Sequence, residues 1–290
     1  VSAWTETYRG VVYRWEVDHN DHLTVAYYFA RLGDASLSLL QSLGLATPGD
    51  GHAWVTDDCY VRYQQELRVG DIMHVESAPI AASHDGFTAG HRLLNSETGG
   101  VATTFEQRLR LVGPGDHRVM LAPADRQHLE VRRAGWDGPP REVRSRPHRV
   151  DGLRDSARDV IEPWEGDPFG RAGLAAYIHR FSAANSHVLA WFGMTPSYQR
   201  EQHRGFSTFE FQFGTTGTLR PGDPVVVRSG VLHVGTSSLR LFHLMCDART
   251  GAEVAALHQL GVHLDHDARR PAPLPAGMAD KARALLASAA

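Results

Sequence analysis

Apolar and polar positions change period along the chain, and each change marks an element. Residues 9–17 alternate and are rich in β-branched and aromatic side chains, which predicts a strand. From Val25 the period lengthens. Val25, Phe29, Leu32, Ser36, Leu39 or Leu40 and Leu43 recur every three to four residues up to Gly44 and Pro48, predicting a long helix with most of its circumference apolar. At about 1.5 Å per residue such a helix spans about 30 Å, the length of a sheet. Alternation returns over 53–67, 72–82, 86–95 and 101–112, broken at Gly70-Asp71, His84-Asp85-Gly86 and Thr98-Gly99-Gly100. One strand, one buried helix and an antiparallel meander predict an α+β layout in which the sheet wraps the helix.

The pattern then comes round again. Trp15 lines up with Trp164 at an offset of 149 (164 − 15), Leu32-Gly33 with Phe181-Ser182, and Gly44 with Gly193. After a small length difference the offset is 152, which places Gly70-Asp71 on Gly222-Asp223, His91 on His243, Thr98-Gly99 on Thr250-Gly251 and Gln107 on Gln259. The second set of elements is a strand over 158–165, a helix over 171–192, and strands over 205–219, 224–234, 237–247 and 253–265. Two fused copies of one unit are expected, 7–112 and 158–266. Between them 113–157 reads as a connector pinned by Trp136 to a sheet, and the tail 267–290 as a Pro-rich start ending in a short Ala/Leu helix of no assigned function.

Composition narrows the function. A formal net charge of −3 argues against nucleic acid or an anionic membrane as the main partner. The 17 His are scattered without metal-site spacing, so no metal is expected. Cys59 and Cys246 fall at unrelated places in the repeat, which implies no disulfide framework and favours a reducing, cytoplasmic setting. No basic-then-apolar leader opens the sequence and no apolar run approaches a membrane span.

Chemistry concentrates where the first strand meets the helix. Asp18, Asn20 and His22 stand there, and their counterparts are Asp167, Phe169 and Arg171. One copy is built to react, the other to support. The bland reading is that Asp18 and Asn20 cap the helix, which both residue types do well. Paired positions shared by both copies, Glu16 with Glu165 and His91 with His243, read as structural.

The run Val17-Asp18-His19-Asn20-Asp21-His22-Leu23-Thr24-Val25-Ala26-Tyr27-Tyr28, followed by Gly33-Asp34-Ala35, resembles the signature of hotdog-fold thioesterases. It is most similar to the Asp-x-Asn-x-His form of plant acyl-carrier-protein thioesterases and of betainyl-CoA thioesterases. Trp54 to Asp71, and Leu241-Phe242-His243-Leu244 with Thr250-Gly251, carry the same resemblance. It implies a double hotdog, two tandem units each with a long helix wrapped by an antiparallel sheet, forming a pseudo-dimer within one chain that could pair with a second chain. It implies hydrolysis of an acyl-CoA or acyl-carrier-protein thioester to acid and thiol. Asp18 would act as base or nucleophile, Asn20 would hold the water or the thioester oxygen, and His22 would position or relay the proton. Backbone N–H groups near Thr24, Val25 and Ala26 would form the oxyanion site.

Asp58 matches the place of an acidic or Cys partner; alternation sends it and Cys59 to opposite faces, with Cys59 the core thiol. Asp34 matches an acidic family position and is either a substrate contact or a structural hydrogen bond. Tyr27 and Trp54 would shape the acyl slot, Phe169 and Arg171 would wall it from the second copy, and Arg31, Arg62 and Arg68 are candidate phosphate contacts. No cofactor is implied beyond the CoA or phosphopantetheine arm of the substrate, and the partners are a small-molecule acyl thioester or an acyl-carrier protein. Two alternatives stay open. One is a hotdog hydratase or dehydratase, although its Asp-x-Asn-Pro-x-His pattern places His five residues after Asp and here it is four. The other is a non-catalytic acyl-thioester-binding protein.

Overall fold

The computed structural model describes residues 4–18, 21–45, 51–147 and 150–286. The chain divides into two compact units. The first comprises Val1–Arg141, Glu162–Ile178 and Thr218–Pro221; the second comprises Glu142–Ile161, His179–Gly217 and Gly222–Ala290.

The first half of the chain runs β1 (Thr5–Val11), a 3-10 turn at Arg14–Glu16, α1 (Val25–Ser42), β2 (Ala53–Tyr63), β3 (Ile72–Ala82), β4 (Gly86–Asn95), β5 (Val101–Val112) and α2 (Pro123–Val131). Its strands lie in the order β1-β3-β4-β5-β2, antiparallel throughout. The apolar side of α1 covers one face: Phe29 meets Phe105 of β5 edge-on at 5.8 Å, and Tyr28 meets Tyr63 of β2 at 5.3 Å. Gly44 ends the helix with φ +67°, a left-handed value that glycine takes without strain.

The second half runs β6 (Arg154–Val160), a 3-10 turn at Pro163–Glu165, α3 (Leu174–Trp191), α4 (Pro196–Gln202), β7 (Arg204–Thr215), β8 (Pro224–Val234), β9 (Ser238–Asp247), β10 (Glu253–Asp265), β11 (Arg270–Pro271) and α5 (Ala276–Arg283). The strand order is β6-β8-β9-β10-β7, with the short β11 on β10. Ladder irregularities recur at matching positions. Thr7 and Ser156, Asp57 and Phe209, and Ile80 and Leu232 are each the extra residue at a register shift.

A buried polar chain recurs with them. In the first half Thr7 Oγ1 lies 2.6 Å from Ser77 Oγ, which lies 2.7 Å from His91 Nδ1; His91 Nε2 is 3.0 Å from Gln107 Oε1, and Gln107 Nε2 donates to Thr56 Oγ1 at 2.7 Å. Ser156, Ser229, His243, Gln259 and Thr208 repeat it. A neutral imidazole serves here, accepting from Ser at Nδ1 and donating to Gln at Nε2. Burial drives both histidines down to about 4. The matched histidines are thus structural in both halves.

Three departures from the sequence reading have physical causes. The alternation over 9–17 and 158–165 ends in a turn rather than a strand, because Glu16 closes a box on Tyr13: Tyr13 N–H donates to Glu16 Oε2 at 3.0 Å, and Glu162 N–H donates to Glu165 Oε2 at 2.8 Å. β2 stops at Tyr63, short of Leu67, since the next two N–H groups, of Gln64 and Gln65, both turn to the Ala102 carbonyl. The connector holds a helix, α2, whose Leu129 packs with Leu121 against Leu39, Leu40, Leu43 and Trp54.

Further along the connector, Trp136 lies on β4 where Gly90 leaves room, a Cβ there meeting the indole at 2.7 Å. The tail docks through Met278, Ala279 and Ala282 of α5 onto Val231, Leu239 and Leu241. No described helix is long and apolar enough to cross a membrane.

Candidate active site

The motif loop is tied at both ends. Asp18 N–H donates to the His22 carbonyl at 2.9 Å, and His22 N–H returns a bond to Asp18 Oδ1 at 3.1 Å. Asp21, at φ +60°, makes the reversal, and Arg14 pairs with its carboxylate. Thr24 N–H donates to the Glu16 carbonyl at 2.9 Å, fixing the start of α1. Asn20 lies outside the described residues.

The end of the predicted strand 53–67 supplies what the motif lacks. After β2 peels away, residues 66–68 swing back to the loop: Leu23 N–H donates to the Leu67 carbonyl at 2.8 Å, and His22 forms a backbone bridge with Arg68. This places Glu66 Oε2 3.2 Å from His22 Nε2, with both side chains mostly buried. Arg68 stands 4.0 Å from the same carboxylate. Nothing in the reading of the sequence singled out Glu66. Its signal would have been the charge pair Glu66 and Arg68 just before the Gly70-Asp71 turn.

At the helix start, Thr24 contributes no side-chain cap. The first N–H groups of α1, at Val25 and Ala26, therefore carry the positive end of the helix dipole without a side-chain acceptor from the cap residue. Tyr27, on this first turn, is partly exposed, while Tyr28 is buried and its hydroxyl accepts from Leu67 N–H at 3.3 Å. Asp18, His22, Thr24, Val25, Ala26 and Tyr27 are thus brought together, with Glu66 added.

The remaining candidates lie elsewhere. Gln107 bonds Thr56 on the helix-facing side and faces Cys59 across the ladder, so the bulge at Asp57 turns both Asp57 and Asp58 to the other face. There Arg141 of the connector holds Asp58 through two bonds, one of them 2.7 Å, and Asp57 binds Arg110 at 2.7 Å. Among the described residues Asp58 bonds no member of the motif loop. Cys59 is fully buried, and burial pushes its thiol well up.

Trp54 donates to the Leu45 carbonyl at 2.9 Å, beyond the C-terminal end of α1, whose 18 residues separate it from the motif by about 27 Å. Asp34 stands on α1 with its surface in reach of solvent, yet desolvation by its neighbours raises its carboxyl, and it opposes ionisation of Tyr8. Arg31 pairs inward with Glu16, whereas the Arg68 side chain is 54% exposed and its backbone is bridged to His22.

The second loop keeps the skeleton and exchanges the chemistry. Asp167 Oδ1 accepts N–H bonds from Phe169 and Arg171, both at 2.9 Å, and Gly170 at φ +73° takes the place of Asp21. Burial raises the Asp167 carboxyl. Arg171, 8% exposed, pairs with Asp116 from the turn after β5, and Arg220 lies 3.7 Å from the same carboxylate. Burial alone would raise Asp116, yet its bonds to Arg171 and Thr218 hold it below the ordinary range. Phe169 is half-buried.

A long helix entered through a polar loop and backed by an antiparallel sheet defines a hotdog-type fold. The chain belongs to the thioesterase-like superfamily, whose family model matches residues 11–130 and 161–282. It is 29% identical over 125 residues, 42% of its length, to an L-carnitine dehydrogenase/betainyl-CoA thioesterase of Agrobacterium fabrum, and 26% identical over 111 residues to the Rhizobium meliloti protein of the same name. The aligned regions span about a quarter of each relative, 26% and 22%. Among solved structures, a protein of Lactobacillus plantarum assigned as an oleoyl thioesterase superposes with a TM-score of 0.73 at 12% identity, covering 91% of this chain and 97% of its own. The 12:0-ACP thioesterase of Umbellularia californica gives 0.68 at 14%, covering 90% and 94%. These two likenesses speak for the fold.

Proposed function

We propose that the protein hydrolyses an acyl thioester to a free acid and a thiol at the loop Asp18–Leu23 and the start of α1, in a tandem pair of hotdog units of which the second is supporting. One observation carries this reading: two loops are tied by the same backbone bonds, yet of the two only the first presents a His on a carboxylate, His22 on Glu66, while the second is closed by Arg171 on Asp116. The family and the betainyl-CoA thioesterase relative support the same chemistry.

Asp18 activates water as general base or attacks the acyl carbon to give an anhydride. Charge developing on the carbonyl oxygen is met by the Val25 and Ala26 N–H groups at the positive end of α1. Glu66 favours the proton on His22 Nε2, leaving Nδ1 as an acceptor for a proton in transit. Asn20, from the same loop, holds the water or the thioester oxygen. The substrate brings its own CoA or phosphopantetheine arm, and no other cofactor is required. Tyr27 shapes the mouth, and Phe169 closes the acyl slot.

The test is release of free thiol from a panel of acyl-CoAs of different chain length and head group, and from an acyl-carrier protein, by the wild type and Phe169→Ala. Turnover of some member of the panel is expected, with the preferred acyl length shifted in the variant. No thiol from any member would overturn the hydrolytic reading, and an unchanged length profile would remove Phe169 from the slot.

A further inference from the structure

Immediately before the motif the chain displays an aromatic surface that the hydrolytic reading does not use. Trp15 is 70% exposed and Tyr13 46%, and their rings stack at 4.5 Å with 6° between planes. Stacking on each other leaves the outer ring faces open to a further flat group. Here the pairing is held rigid: Glu16 N–H donates to the Tyr13 carbonyl at 3.0 Å, the Glu16 side chain accepts from Tyr13 N–H at 3.0 Å, and Arg31 of α1 grips the same carboxylate.

We propose that Trp15 and Tyr13 form a platform on which the adenine of a coenzyme A thioester stacks, with Arg14 and Arg68 facing its phosphates. This names the substrate class of the site above and rests on that reading for the thioester end. Arg14 sits on the platform turn, with its side chain 72% exposed, and its pairing with Asp21 draws the turn against the motif loop. Arg68 is 54% exposed at the side chain, and its backbone is bridged to His22. A guanidinium has five N–H donors, so each retains donors for a phosphate. Asp18 follows Trp15 by three residue steps, at most about 10 Å of chain, within reach of a pantetheine arm folded back on itself.

The second half provides the internal contrast. Trp164 stands at the position of Trp15 and is 79% exposed, but Glu162 and Pro163 replace Tyr13 and Arg14. There the indole has an acidic flank, which repels a nucleotide, and its loop is the one closed by Arg171 and Asp116. Of the two exposed indoles at this repeat position, Trp15 has a stacked ring and a cation beside it, and Trp164 has Glu162 and Pro163 in their place. A carrier protein presents its phosphopantetheine without adenine and has no use for such a platform.

Calorimetric titration of the full chain with 3′,5′-ADP and with CoA tests this without turnover. Wild type is expected to bind both; Trp15→Ala weakens binding by about tenfold or more, the scale of one lost base–aromatic stack, while Trp15→Phe retains most of it. Trp164→Ala binds as wild type. In kinetics, Trp15→Ala raises KM for the acyl-CoA with kcat kept, and leaves KM for the matching acyl-pantetheine alone. The platform is overturned if wild type binds no nucleotide, if Trp15→Ala binds as tightly as wild type, or if Trp164→Ala loses as much. Binding lost in Trp15→Ala without hydrolysis of any thioester would sustain the platform and sink the hydrolytic reading; hydrolysis with a KM indifferent to Trp15 would do the reverse.

Discussion

Two carboxylates separated by eight residues divide the roles that one was expected to fill. Asp58 anchors the connector through Arg141, and Glu66 reaches His22. The bulge at Asp57 decides this, because one extra residue in β2 turns Asp58 away from the helix while keeping Cys59 toward it. Exchanging Asp58 for Asn should leave turnover within about twofold of wild type and lower the melting temperature slightly, since a half-exposed ion pair contributes about 1 kcal/mol or less. Glu66→Gln should lower kcat by about tenfold or more with stability kept, the scale of a mispositioned general acid or base. Steady-state kinetics on both variants decides the matter, and a larger loss from Asp58→Asn would reverse the assignment.

At the scale of elements, the duplicated His–Gln chains make stability depend on pH in a defined window. His91 and His243 are held uncharged, at about 4, because charging them inside the core is costly. A basic group whose value is depressed on folding stabilises the fold fully above its unfolded value near 6.5 and loses that contribution as pH falls toward 4. Each contributes on the order of 3 kcal/mol, lost over that range. Urea unfolding between pH 7 and 4.5 should show the decline, and the ring-proton shifts of both histidines should stay flat to below pH 5. Titration of either ring near 6.5 would contradict the buried chain.

The same elements mark what periodicity can reveal. β3, β4, β5, β8 and β10 match the predicted runs residue for residue, because each run is bounded by Gly-, Asp- or Asn-containing turns that break the ladder. The turns at Glu16 and Glu165 escaped, since a side chain closing on a backbone N–H leaves the hydrophobic pattern unbroken. α2 escaped because only Leu129 of its nine residues is buried. Within the site, Asp18 and His22 were legible from the motif. Glu66 was not, because its place depends on where β2 leaves the sheet, and that is set by bonds to Ala102 of β5, beyond β3 and β4 in sequence.

Over the whole molecule, the bulges and buried chains are kept in both halves and the polar loop only in one. Features that hold a helix on a sheet are needed twice; on the proposed reading a reacting loop is needed once, and the other is free to become packing and ion pair. The asymmetry between Asp18 and Asp167 is therefore the central claim. Neither carboxylate caps a helix, since α1 starts beyond Thr24; both accept the N–H four residues on within their own loop, so losing either brace should cost a similar amount, about 1 kcal/mol. Thiol release by Asp18→Asn and Asp167→Asn, each checked for folding, separates loop brace from catalyst. Asp18→Asn is predicted to lower turnover by about a hundredfold or more while Asp167→Asn stays near wild type; equal effects of the two substitutions would contradict the account.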